Sequence, residues 1–229
     1  QIGCLLGVVL ASRGIQGSLA NSIVSSRLLA RIAHAHGLVH HTTLTGFKWI
    51  ARAPELALGY EEAIGFCPNP AVARDKDGIA SSVVAASLFA ALKTEERTAW
   101  DELDRLAHAH GLHVTGPLTF RVEEIEQIAA GMARLRAQPP SVLAGSPVVE
   151  VSDLSQGYRG LPPTDGVLVL TEAGDRVIAR PSGTEPKLKC YCEVILPAND
   201  TPVAQVREAA AERLEAIKED LRGILGIAA

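Results

Sequence analysis

Apolar and polar positions change period several times along the chain, and each change marks an element. Ile2 to Ala11 is an almost unbroken apolar run. It is too short to span a bilayer and lacks the basic start of a signal peptide, so it reads as a buried helix of a soluble protein. Ser18 to Val24 reads as a strand leading into Ser25-Ser26, residue types that cap the helix Arg27 to His36. Gly37 stops that helix, Leu38 to Thr43 is a second strand rich in β-branched residues, and Thr45 to Ile50 is a loop entering a short helix. Leu56 to Tyr60 is a third strand, Pro68 to Lys76 a surface loop, and Asp77-Gly78 opens the apolar helix Ile79 to Leu92. Thr94 to His110 is expected to continue as an amphipathic helix, with Trp100, Leu103 and Leu106 at helical spacing and Gly111 as its stop.

The organisation changes after Gly116-Pro117. Leu118 to Val122 reads as a strand, and Glu123 to Arg136 as a helix with Ile125, Ile128, Met132 and Leu135 inward. Strands at Val148 to Val151, Val167 to Thr171, Val177 to Arg180 and Leu188 to Leu196 follow, separated by Gly and Pro turns, before a closing amphipathic helix, Ala204 to Leu225. Strands alternating with helices predict an α/β domain; strands clustered between helices predict an α+β domain. The fold class is therefore α/β: a mixed α/β sheet domain over residues 1–116, then a smaller α+β domain with a mainly antiparallel sheet over residues 117–229, with a hinge near Gly116.

Composition narrows the function. The 229 residues are 47% hydrophobic and 21% charged, with a formal net charge of -4, which argues against dependence on broad attraction to nucleic acid and makes any anion site local. The four cysteines lack metal spacing and read as small buried side chains in a reducing cytoplasm. The paired His34/His36 and His108/His110 sit two apart, on different sides of their helices, so they suit a helix C-terminus better than a metal.

The most chemically loaded stretch is Arg180-Pro181-Ser182-Gly183-Thr184-Glu185-Pro186-Lys187-Leu188-Lys189, a loop held between two strands. Arg180 offers a planar fork of donors for a phosphate, Ser182 and Thr184 offer hydroxyls on either side of Gly183, and Gly183 lets successive N–H groups face an anion. Lys187 and Lys189 add positive field. Ser-Gly-Thr alone is ordinary turn chemistry; the flanking cations are what point to an anion.

This loop resembles the C-terminal phosphate-binding loop of the α-D-phosphohexomutase superfamily, which includes phosphoglucomutase and phosphomannomutase. Three further loops match that family in order. Thr45-Gly46-Phe47-Lys48 is similar to its Thr-Gly-aromatic-Lys loop, Gly59 to Gly65 to its sugar-recognition loop, and Arg74 to Gly78 to the loop whose lysine lies in the active cleft. The resemblance implies Lys76 as the catalytic residue, steadying charge on a moving phosphoryl group or assisting proton transfer. It implies Glu61, Glu62, Gly46 and Lys48 around the sugar, and Arg180, Ser182, Gly183, Thr184 and Lys189 around a phosphate. Ionised carboxylates suit a sugar because they accept from hydroxyls, although Glu61-Glu62 and Lys76 are also ordinary surface charges; Asp77 has a capping role open to it. Ala63 stands where many members carry Ser, and Glu-Glu-Ala-Ile-Gly resembles the phosphoglucomutase and phosphopentomutase branch.

Two parts of the family's equipment have no counterpart: the phosphoserine loop and the Asp-x-Asp-x-Asp loop that holds Mg²⁺. By the resemblance the chain is domains 3 and 4, the C-terminal half of a cytoplasmic isomerase, and a start at Gln1 fits a fragment. It is expected to be inactive alone, with domains 1 and 2 of the same enzyme as its partners, a hexose or pentose phosphate as substrate and glucose 1,6-bisphosphate as activator and intermediate. No metal ligand, nucleic-acid surface or membrane segment is expected in it. The alternative is a non-catalytic sugar-phosphate-binding module; a serine hydrolase is excluded by the absence of a Gly-x-Ser-x-Gly elbow.

Overall fold

The structure, a computed structural model, describes residues 1–62, 64–183 and 185–227. Residues 1–111 fold as one unit and 112–229 as another.

In the first unit the chain runs α1 (Ile2–Ser12), β1 (Ser18–Ser22), α2 (Leu28–Ala35), β2 (Val39–Thr43), α3 (Phe47–Ile50), β3 (Leu56–Glu61), β4 (Gly65–Cys67), α4 (Gly78–Thr94) and α5 (Ala99–His110). Strand order is β2-β1-β3-β4. β1 pairs parallel with both β2 and β3, and β4 closes the edge antiparallel to β3. Successive residues of a strand point to opposite faces, and the two cores follow. Leu19 and Leu58 join Leu6, Leu29, Ile32, Leu88 and Leu106 from the long helices, whereas Ala20 joins Phe47, Ile50, Ala53, Leu56 and Cys67 on the α3 side. β1 is buried at all five positions although three of them, Ser18, Asn21 and Ser22, are polar.

Ser26, one of the two residues expected to cap α2, accepts the Leu28 N–H at 3.1 Å. Two local signals resolve differently from expectation. The helix read over 94–110 is broken: α4 ends at Thr94, and Thr98 opens α5. The cause is a reciprocal cap, in which the Thr98 hydroxyl accepts the Asp101 N–H at 3.2 Å and the Asp101 carboxylate accepts the Thr98 N–H at 2.7 Å. Those contacts hold the Asp101 carboxyl below the usual range. Trp100, expected among the apolar positions, is 60% exposed. Gly111, at φ 84°, does stop α5.

The second unit runs β5 (Leu112–Arg121), α6 (Ile125–Ala137), β6 (Val142–Leu143), β7 (Ser146–Asp153), a 3-10 turn (Leu154–Gln156), β8 (Val167–Thr171), β9 (Arg176–Pro181), β10 (Lys187–Leu196) and α7 (Val203–Leu225). Its six strands lie in the order β5-β10-β9-β8-β7-β6, antiparallel throughout. The change of organisation thus comes at Gly111, not Gly116. Gly116 and Pro117 lie inside β5, opposite Cys192 and Tyr191. A Cβ at Gly116 would come 2.7 Å from Leu214 of α7, so that glycine serves close helix packing and no hinge. Ile128, Met132 and Leu135 of α6 are buried as expected, but Ile125 is 65% exposed.

Two polar groups tie this sheet together from within. Asp175, fully buried, accepts from the Arg213 guanidinium at 2.7 Å and from the Thr171 hydroxyl at 2.9 Å. Glu193 lies 3.1 Å from the Nδ1 of His113 and 3.0 Å from the Arg176 guanidinium. All four cysteines are buried and unbridged, and burial pushes the Cys192 thiol up to about 12.

Candidate functional site

The first unit gathers three loops. Those after β2 and β3 leave from the carboxyl ends of parallel strands, where open α/β sheets carry their ligands. Gly46 enters α3 at φ 109°, a conformation that disfavours any side chain, and its N–H points to the Oε2 of Glu61 at 3.0 Å. Glu61 ends β3 and is 6% exposed. Its other oxygen meets the Nζ of Lys76 at 2.9 Å, and that ammonium also lies 4.7 Å from the centroid of the Phe47 ring. Glu61, Gly46 and Lys76 therefore form one constellation.

β4 is what lets Lys76 reach it. After Glu61 the chain doubles back as a strand the sequence reading did not expect, so that Glu61 pairs with Gly65 and Tyr60 with Phe66. A Cβ at Gly65 would stand 2.8 Å from the Lys76 Cε and 3.1 Å from the Glu61 Cγ, so the missing side chain is the channel for the lysine. The lysine loop is itself pinned: Arg74 donates to the Ala51 carbonyl at 2.8 Å, the Asp77 N–H donates to the Phe66 carbonyl at 2.8 Å, and Asp77 caps α4 by accepting the Ala80 N–H at 2.9 Å. Asp77 has the structural role open to it. Glu62 and Lys48 are exposed, Lys48 with its ammonium 5.8 Å from the Trp49 ring. Ala63 lies outside the described residues. Within β2, burial and the neighbouring His41 push His40 down to about 4 while its Nε2 lies 3.0 Å from the Asn21 amide oxygen.

The second unit carries the polar loop between β9 and β10. Its base is fixed by pairing: Arg180 stands opposite Lys189 and Pro181 opposite Leu188, which puts both cations on one face of the sheet. The Ser182 N–H donates to the Lys187 carbonyl at 2.8 Å and the Val122 N–H to the Pro186 carbonyl at 3.2 Å, so the loop is tied at both ends. Lys187 pairs with Glu185 at 2.6 Å, and that contact holds the Glu185 carboxyl below its usual range. Gly183 is exposed, and a Cβ there would meet nothing within 4 Å. Its φ is not among the positive ones, so the turn itself does not demand glycine; the glycine leaves the approach open. Thr184 lies outside the described residues.

Sequence reasoning missed three features around these loops: the Phe47 ring beside the Lys76 ammonium, the clearance at Gly65, and the placing of Arg121 opposite Lys187 across β5 and β10. The first two had a signal in the Gly-Phe and Ile-Gly-Phe steps beside the charged loops; the third had none.

Comparison with known proteins accounts for both halves. Over 194 residues the chain is 40% identical to the probable phosphomannomutase of Haemophilus influenzae, covering 84% of this chain and 39% of that protein. It is 30% identical over 225 residues to the human phosphopentomutase, covering 88% of this chain and 37% of that one. The chain thus spans about two fifths of the length of these relatives. In fold it is similar to the crystal structure of a putative phosphomannomutase from Thermus thermophilus, with a TM-score of 0.61 at 20% identity, over 95% of this chain and 40% of that one. Residues 1–109 match the alpha/beta/alpha domain III of phosphoglucomutase/phosphomannomutase, and residues 91–222 match the C-terminal domain of the same family. The chain belongs to the phosphoglucomutase/phosphomannomutase family and comprises its domain III and C-terminal domain.

Proposed function

We propose that this chain is the substrate-holding half of a mutase that interconverts sugar 1-phosphates and sugar 6-phosphates. The observation that carries the proposal is the pairing of Arg180 with Lys189 at the base of a loop bearing Ser182 and an open glycine. Two cations on one sheet face, with a hydroxyl beside them, suit a phosphate ester. The second unit grips the phosphate that is not transferred, with Thr184 completing the loop. In the first unit, Glu62 and the unused lone pairs of Glu61 accept from sugar hydroxyls beside Gly46 and Lys48. Lys76, held by Glu61 and Phe47, stabilises negative charge on the phosphoryl group in flight.

Phosphoryl transfer in this family needs a phosphoserine and Mg²⁺. Among the described residues no three His, Cys, Asp or Glu side chains come together in a way that could hold a metal ion, so the residues here do not fit the Mg²⁺ site. Our reading places the metal, the phosphoserine and the formation of the glucose 1,6-bisphosphate intermediate with domains 1 and 2 of a longer enzyme acting in the cytoplasm. No helix among the described residues is long and apolar enough to cross a membrane. The 30% identity to a phosphopentomutase favours ribose phosphate as a second substrate class.

Calorimetric titration of the chain with glucose 1-phosphate and ribose 1-phosphate tests the reading. Binding is expected for at least one ester and its loss in Arg180→Ala, since a bidentate charged contact disappears. Equal binding by the variant and the unsubstituted chain rejects it.

A further inference from the structure

Antiparallel pairing fixes which side chains share a face, and here it brings a cation that does not belong to the loop up to the loop. Arg121, at the end of β5, is the cross-strand partner of Lys187, which is two residues from Lys189, which in turn faces Arg180. Residues paired across antiparallel strands, and those two apart along a strand, point to the same side. Along β5 the alternate residues Leu118 and Phe120 are buried while Arg121 is exposed, so its guanidinium is on the side of the lysines. The Val122 N–H donates to the Pro186 carbonyl, holding the end of β5 directly against the loop. Arg121 and Lys189 both help Lys187 to keep the Glu185 carboxyl ionised, which places all three within electrostatic reach of one anion at the loop.

We infer that Arg121 is a further phosphate-binding residue, so that the anion site of the second unit spans β5, β9 and β10 rather than the β9–β10 loop alone. This rests on the reading of that loop as a phosphate site. Lys187 already has an anionic partner in Glu185 at 2.6 Å; the guanidinium at 121 therefore supplies the bidentate donor on the side of the loop opposite Arg180. Guanidinium forks from both sides match the three terminal oxygens of a phosphomonoester dianion, whereas a phosphodiester has only two such oxygens and one charge. The site so built selects monoesters.

The test is calorimetry of the unsubstituted chain and of Arg121→Gln, Arg121→Lys and Arg180→Ala with glucose 1-phosphate, methyl phosphate and dimethyl phosphate at pH 8. R121Q is expected to weaken both monoesters about tenfold, the loss of one charged contact, with an unchanged unfolding midpoint. R121K is expected to recover part of the loss, and dimethyl phosphate to bind more weakly than methyl phosphate. R121Q binding like the unsubstituted chain while R180A fails overturns the role of Arg121 and leaves the loop in place. An unsubstituted chain that binds no monoester, or R180A binding normally, overturns the loop and the present inference with it.

Discussion

Glu61 touches Lys76 at 2.9 Å with one carboxylate oxygen and the Gly46 N–H at 3.0 Å with the other. One buried side chain thereby ties the loop after β2 and the loop before α4 to the end of β3. Glu61→Gln keeps the shape and removes the charge that anchors the lysine. The Lys76 amine is then expected to react faster with an acylating reagent, read by peptide mass spectrometry. Glu61→Ala further strands the Gly46 N–H and is expected to cost about 1–3 kcal/mol in urea unfolding.

Gly65→Ala places a methyl where the Lys76 Cε now runs, at 2.8 Å. The far end of a lysine moves easily, so the cost to stability is expected to stay below about 1 kcal/mol. The position of Lys76 is what changes. In the longer enzyme the expected outcome is a fall in kcat much larger than any loss of unfolding free energy; equal kcat for variant and parent would show that the clearance is not needed.

Asp175 is fully buried and its oxygens are filled by Arg213 and Thr171. Asp175→Ala leaves an arginine of α7 facing a void left by its partner, which for a buried pair costs about 3–5 kcal/mol. Arg213 retains 24% side-chain exposure, which puts the expected loss near the lower end, measured as a shift in the urea midpoint.

His40 supplies a pH signature. Its pKa falls from 6.5 to about 4 in the folded chain through burial, with His41 adding to the effect. A histidine easier to protonate unfolded than folded contributes stability in full above about pH 6.5. That contribution is lost as pH falls from there towards 4. The loss is on the order of 3 kcal/mol at most, and His40→Gln should flatten the stability curve across this window.

Thr98→Ala removes the hydroxyl half of the cap that opens α5. An expected loss of about 1 kcal/mol follows from the usual worth of such caps, visible as earlier thermal unfolding.

Where a residue's task was local, the sequence displayed it. Asp77-Gly78 marked the start of α4 and Gly111 the end of α5, and the Pro, Ser and Gly of residues 181–183 marked the turn between β9 and β10. The break between α4 and α5 was equally local, written in Thr98-x-x-Asp101, but the apolar periodicity running across it masked the cap. Long-range pairing was the part that no window of sequence could reveal. Gly116-Pro117 looks like a hinge because Gly and Pro usually interrupt strands; here the strand continues because Leu214 needs the room above Gly116. Arg121 drew no reading from the sequence, because its neighbour across the sheet, Lys187, is remote in the chain. For Glu61 the sequence left a surface charge open beside a sugar-binding role, and the pairing with Gly65 of β4 that accompanies its burial was not legible.

The order of strands in the second unit has a consequence for its biosynthesis. β5, the first strand of that unit to be translated, pairs along all ten of its residues with β10, the last, which inserts between it and β9. A growing polypeptide that has emerged only as far as β9 holds β5 without a neighbour, and closing so long a loop is slow. The face that carries Arg121, Lys187, Lys189 and Arg180 is therefore complete only once β10 has joined both of its neighbours.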